Sequence, residues 1–121
     1  MRILNFEQSI AWQKSRILTL DIYACFEGVK DYSFRDQIQR AALSVMNNIA
    51  EGFERNTNKE LLHFLYIAKG SCGEVRSMLY IAQPQHYLSE KDFDRIKNEA
   101  EEVSKITSGL IKKVYTSHKV T

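Results

Sequence analysis

The chain reads as an all-α protein, an antiparallel up-down-up-down four-helix bundle with residues 1–121 in a single domain, and three observations predict this. Apolar residues recur at steps of three and four in four separate segments, the signature of helices that each bury one face. Three of those segments are preceded by Ser or Thr with Asp or Glu three residues on, a start signal that satisfies free backbone N–H groups of a first turn. One Pro and five Gly in 121 residues leave few breaks, and no segment alternates apolar with polar residues as a half-buried strand would.

The first helix is expected over about 7–27, with the stripe Ile3, Phe6, Ile10, Ile17, Leu20 and Ala24 turned to the core, only Gln13 interrupting, and Gly28 as its stop. The second, about 34–54, starts on Ser33 and Asp36 and carries Phe34, Ile38, Ala42, Val45, Ile49 and Phe53. The third, about 58–83, opens on a capping box of Thr57 and Glu60. Its stripe Leu61, Leu65, Ala68, Cys72, Val75, Leu79 and Ala82 keeps an unbroken heptad rhythm until Pro84. The fourth, about 90–115, follows Ser89 and Asp92 and repeats the spacing with Phe93, Ile96, Ala100, Val103, Thr107, Leu110 and Val114. Short connections between long helices make sequential neighbours antiparallel.

Composition narrows the function classes. An apolar fraction of 44% with 26% charged residues is ordinary globular usage, which excludes disordered and collagen-like chains. Seventeen Lys and Arg against fifteen Asp and Glu leave a net charge of +2, far from the dense positive field of a dedicated nucleic-acid binder. No apolar h-region opens the chain, and no window approaches the ~20 apolar residues that a membrane span needs, so a cytoplasmic protein without a membrane partner is expected. Cys25 and Cys72 lack any Cys-x-x-Cys or Cys/His ligand spacing and read as reduced packing residues.

Glu60 and His63 spell E-x-x-H on a helix, an element of dinuclear-metal bundles. Such a centre needs a second copy, and His86 follows Gln83 while His118 follows Tyr115, so neither completes it. Glu60 already serves as the third residue of a capping box, and His63 lies off the heptad stripe. With no Gly-rich phosphate loop and no G-x-S-x-G, the reading is a protein that is not an enzyme and takes no cofactor or metal.

Two further stripes ask for partners. Arg40, Ser44, Asn48 (or Asn47) and Glu51 line one side of the second helix, and Phe64, Ile67, Ser71, Glu74, Met78 and Ile81 widen the third beyond what one core requires. Either the Arg40 stripe is an intramolecular hydrogen-bond network and the Phe64 stripe simply a broad core face, or the Phe64 stripe is a subunit interface. A line of Tyr66, Gly70, Gly73 and Ser77 is small in the middle, and since each helical Gly costs about 1 kcal/mol relative to Ala, a close helix approach is expected there. Arg40, Arg55, Lys59, Lys69 and Arg76 are spread over the helices, with Arg55 and Lys59 flanking the turn between the second and third, and read either as an ordinary solvated surface or as candidate nucleic-acid or partner contacts. Aromatic interleaving is thin, so backbone electrostatics rather than base readout would carry any nucleic-acid contact.

The run Gln37-Ile38-Gln39-Arg40-Ala41-Ala42-Leu43-Ser44-Val45 followed by Asn48-Ile49-Ala50-Glu51-Gly52, the run Phe64 to Ser71 with Glu74, and Trp12-Gln13-Lys14 resemble a known bacterial family. It is the group of four-helix-bundle proteins encoded in intervening sequences of large-subunit ribosomal RNA genes, which also includes accessory proteins of diversity-generating retroelements. The likeness runs from Phe6 to Tyr115. It implies a small cytoplasmic homopentamer without enzymatic activity, with RNA or another nucleic acid, or a protein such as a reverse transcriptase, as partner, and with Arg40, Lys69 and Arg76 as contacts. Many relatives carry Pro in the second helix where this chain has Met46, which implies a straighter helix here.

Overall fold

The computed structural model describes residues 5–118. After one 3-10 turn at Phe6–Gln8, four helices follow: α1 Ile10–Phe26, α2 Tyr32–Phe53, α3 Asn58–Ala82 and α4 Glu90–His118. Each helix packs against two others. α1 and α3 both contact α2 and α4 and do not contact each other, so they occupy one diagonal of a square bundle. No strand occurs among the described residues.

α3 follows its sequence stripe residue for residue: Leu61, Leu65, Ala68, Cys72, Val75, Leu79 and Ala82 are all buried. In α2, Ile38, Ala42, Val45 and Ile49 lie in the core, with Phe34 and Phe53 half-buried at its two ends. α4 buries Ile96, Ala100, Val103, Thr107 and Val114 as expected, and adds Ile111. Each large apolar side chain removed from water contributes roughly 1.5–3 kcal/mol, which offsets the ordering of the chain. Met46 leaves α2 uninterrupted from Tyr32 to Phe53.

α1 departs from the expectation. Ile10, Ile17, Leu20 and Ala24 all face outward, Phe6 is half-buried in the preceding turn with its ring 5.0 Å from Trp12, and Ile3 lies outside the described residues. The inward face is Ala11, Ser15, Leu18, Ile22 and Phe26, with Thr19 beside them. Two hydroxyls make this face look polar in the sequence. Ser15 Oγ donates to the Ala11 carbonyl at 2.6 Å, and Thr19 Oγ1 lies 2.8 Å from the Ser15 carbonyl and 3.1 Å from that of Ala42 on α2. A hydroxyl bonded in this way can be buried without the full cost of desolvation.

The helix starts are only partly those expected. α2 is capped by Asp31, whose Oδ1 accepts the Phe34 N–H at 3.2 Å, while Asp36 pairs instead with Arg35 at 3.1 Å. On α3, Thr57 Oγ1 accepts the Glu60 N–H at 3.1 Å, but the Glu60 carboxylate turns to the Thr57 hydroxyl rather than back to the backbone. Ser89 Oγ accepts the Asp92 N–H at 3.0 Å as predicted. Past α3, the Tyr87 N–H reaches the Ala82 carbonyl and the His86 N–H that of Gln83, a Schellman-type closure with His86 left-handed at φ 61°.

Candidate interaction surfaces

The polar stripe of α2 and the extra stripe of α3 meet across one groove of about 570 Å³. Ser44 Oγ and Ser71 Oγ are 2.8 Å apart, and Asn48 Nδ2 donates to both the carbonyl and the hydroxyl of Ser44. Gln37 Nε2 donates to Glu74 Oε2 at 3.1 Å. Arg40 lines the same groove and forms no ion pair among the described residues. The groove is therefore a hydrogen-bonded seam with one exposed guanidinium.

The expected interface stripe of α3 divides in two. Phe64, Ser71 and Met78 are half-buried, with Phe64 close to Gly52 of α2 and its ring under the Arg55 guanidinium at 4.8 Å. Ile67, Glu74 and Ile81 stay exposed, with Ile81 at 56%. The close approach expected at Gly70 and Gly73 is absent within the subunit, since a Cβ at either would meet nothing within 4 Å. It occurs at Gly52, where a Cβ would lie 2.9 Å from Leu61 Cδ1 and 3.3 Å from the Leu61 carbonyl oxygen.

The candidate basic residues fall in three places rather than one. Arg40 borders the α2/α3 groove. Cys72 donates its thiol to the Ala100 carbonyl of α4, so Lys69 and Arg76, three before and four after it, belong to the α4 side of α3. Arg55, paired with Glu51 at 2.9 Å, and Lys59 flank the α2–α3 turn. His63 is exposed and stands edge-on to Phe64, and no group of three His, Cys, Asp or Glu among the described residues could hold a metal.

One cluster escaped the sequence reading. Arg95 on α4 reaches Asp21 of α1 at 2.9 Å, Asp92 at 3.1 Å and Glu99 at 3.5 Å, three carboxylates around one guanidinium. Burial, then the neighbouring Asp21 carboxyl, pushes the Glu99 carboxyl up to about 7 against the opposing pull of Arg95. The spacing of Asp92, Arg95 and Glu99 announces their pairing on one helix, but nothing in the sequence assigns Asp21 to them. No helix among the described residues is long and apolar enough to cross a membrane.

The remaining feature is apolar surface in water. On α1, Ile10 is 54% exposed and Leu20 53%, with Ile17 and Tyr23 also open. On α3, Tyr66, Ile67, Tyr80 and Ile81 are exposed.

An antiparallel helical bundle with a polar groove and two outward apolar helix faces defines the class: a small all-α four-helix-bundle protein. The sequence profile of the 23S rRNA-intervening sequence proteins matches residues 7–109, and the chain belongs to that family. Its fold is similar to the crystal structure of a protein of unknown function from the S23 ribosomal protein family of Bacteroides thetaiotaomicron, with a TM-score of 0.79 at 20% identity over 85% of this chain and 99% of that one. Among curated proteins, no sequence matches.

Proposed function

We propose that this chain is a non-enzymatic, cytoplasmic, homo-oligomeric binding module, a pentamer that gathers one set of basic side chains from each subunit to hold RNA by its phosphates. The observation that carries this reading is the apolar surface left open on two opposite helices of each subunit, α1 and α3. Scattered apolar side chains are normal, but the stripe of Ile10, Ile17 and Leu20 on α1 calls for a second protein surface, and the exposed pairs Tyr66–Ile67 and Tyr80–Ile81 on α3 add to it. Ring symmetry supports the rest of the reading, because a net charge of +2 per chain becomes a larger field when Arg40, Lys69 and Arg76 recur around an axis.

Light scattering tests the assembly, with an expected mass of about 70 kDa, five times 14.1 kDa. A gel shift with structured and single-stranded RNA at two salt concentrations tests the ligand, because phosphate binding weakens steeply as salt rises. Loss of the shift on Arg40→Ala or Lys69→Ala with the oligomer intact supports phosphate contact. An oligomer that binds no RNA even at low salt supports a protein scaffold instead, such as an accessory subunit of a reverse transcriptase without tight nucleic-acid binding of its own.

A further inference from the structure

α1 carries two apolar stripes. The inner one is spent on the core. The outer one, Ile10, Gln13, Ile17, Leu20 and Ala24, is exposed at every position and advances by three, four, three and four residues. That strict alternation is the narrow seam of a coiled coil rather than the broader face a globular core requires. α3 carries the same spacing outward at Ile67, Gly70, Glu74, Ser77 and Ile81, exposed throughout, with apolar side chains at its two ends and small or charged residues between them. Both seams span two heptads, roughly 21 Å at ~1.5 Å per residue. α1 and α3 sit on the bundle diagonal, so the two seams cannot meet within one subunit.

We propose that copies of this chain join head to tail, the α1 seam of one subunit packing in register and in parallel against the α3 seam of the next. This rests on the oligomeric reading above and names the surfaces that build it. In an up-down-up-down bundle α1 and α3 point the same way, so rotation about an axis along the bundle brings them together in parallel. The equal spacing then stacks Ile10 on Ile67, Gln13 on Gly70, Ile17 on Glu74, Leu20 on Ser77 and Ala24 on Ile81. Three of these layers set a large side chain opposite a small one, as interdigitating seams require. Gly70 leaves open space where the long Gln13 would lie.

Charge supports the same register. Arg16, exposed beside Ile17, has no carboxylate within ion-pair distance among the described residues, and Glu74 has no cation, its recorded partner being the Gln37 amide. Stacking Ile17 on Glu74 of the partner subunit brings Arg16 to that carboxylate. Pairing α1 with a second α1 would leave the Ile67–Ile81 seam in water and Glu74 unmatched. A head-to-tail contact between two different surfaces closes into a ring when the rotation it sets divides a full turn, and otherwise builds a filament.

Leu20→Glu and Ile81→Glu each spoil one seam at a side chain that is more than half exposed in the subunit, so circular dichroism should report wild-type helicity. Light scattering should find each variant monomeric when alone. An equimolar mixture should form a dimer of about 28 kDa, two times 14.1 kDa, because one intact α1 seam and one intact α3 seam remain. Wild-type mass in either variant, or a mixture that stays monomeric up to millimolar subunit, would overturn the pairing. In a second test, Arg16→Glu and Glu74→Arg should each weaken assembly by at least about 10-fold, since each opposes like charges, and the two together in one chain should restore it. A double variant as weak as the singles would overturn the register. A monomeric wild type would sink the oligomeric reading itself, whereas an oligomer indifferent to all four substitutions sinks only the seam assignment.

Discussion

Tyr87 donates its hydroxyl to Asp31 Oδ2 at 2.7 Å while Oδ1 of the same carboxylate caps α2 through the Phe34 N–H. The Tyr87 ring also stands edge-on to Phe34 at 5.2 Å. One aspartate thus ties the α3–α4 connection to the start of α2. The Tyr87 hydroxyl, then the Phe34 N–H, hold the Asp31 carboxyl below its usual range. A depressed carboxylate stabilises the fold above its unfolded pKa, and that stability is lost as pH falls through the lower folded value. Asp31→Ala should lower the melting temperature more than Tyr87→Phe does, because it removes the cap as well as the tether. The deficit of both variants relative to wild type should shrink as pH falls and Asp31 becomes protonated, as read from melts across an acid series.

Gly52 of α2 packs closely against Leu61 and Phe64 of α3. Gly52→Ala would force Leu61 and Phe64 aside, and because backbone oxygen of Leu61 is among the obstructing atoms, rotamer change alone cannot relieve it. Urea denaturation should show a loss of about 1–3 kcal/mol. Gly109→Ala provides the contrast, since a Cβ there meets nothing within 4 Å and helix propensity favours Ala. It should gain about 0.5–1 kcal/mol. Equal effects at the two sites would contradict the packing described.

How much of this was legible in the sequence varies by helix for physical reasons. α3 was fully readable because its inward positions are all apolar and its outward ones include Lys, Glu, Ser and Gly, so one period dominates. α1 misled because apolar residues surround it, and its true inward face contains Ser15 and Thr19, whose hydroxyls bond carbonyls one turn back. Two stripes nearly tied, and the more apolar one is the surface seam. The groove residues Arg40, Ser44, Ser71 and Glu74 were visible as stripes, yet their meeting depends on how α2 and α3 are rotated. The Asp21 link to Arg95 joins residues far apart in the chain and has no local signature.

That link has a pH dependence of opposite sign to the one at Asp31. Glu99 Oε1 is buried without a hydrogen-bond partner among the described residues, and its carboxyl titrates near 7 rather than at the ordinary 4.5. A raised carboxyl pKa means the folded state holds the proton more tightly than the unfolded one. The stabilising contribution is fully present below about pH 4.5 and is lost as pH rises through about 7. Glu99→Gln should therefore flatten the stability profile between these values and melt above wild type at pH 8. An unchanged slope would show that Arg95 keeps Glu99 ionised throughout.

His86 closes α3 in a conformation that favours glycine. Its φ of 61° places a Cβ where L-residues pay for the left-handed region, although His tolerates it better than branched side chains do. Around it the Tyr87 N–H bonds the Ala82 carbonyl at 2.9 Å and the His86 N–H bonds that of Gln83 at 3.0 Å, so the turn depends on this backbone geometry and not on the imidazole. His86→Gly should stabilise the protein by up to about 1 kcal/mol, the relief of strain exceeding the added freedom of the unfolded chain. His86→Val should cost about 1–2 kcal/mol, because branching at Cβ makes the same φ harder to hold. Thermal denaturation of the two variants decides, and a glycine variant less stable than wild type would show that the ring itself supports the α3–α4 connection.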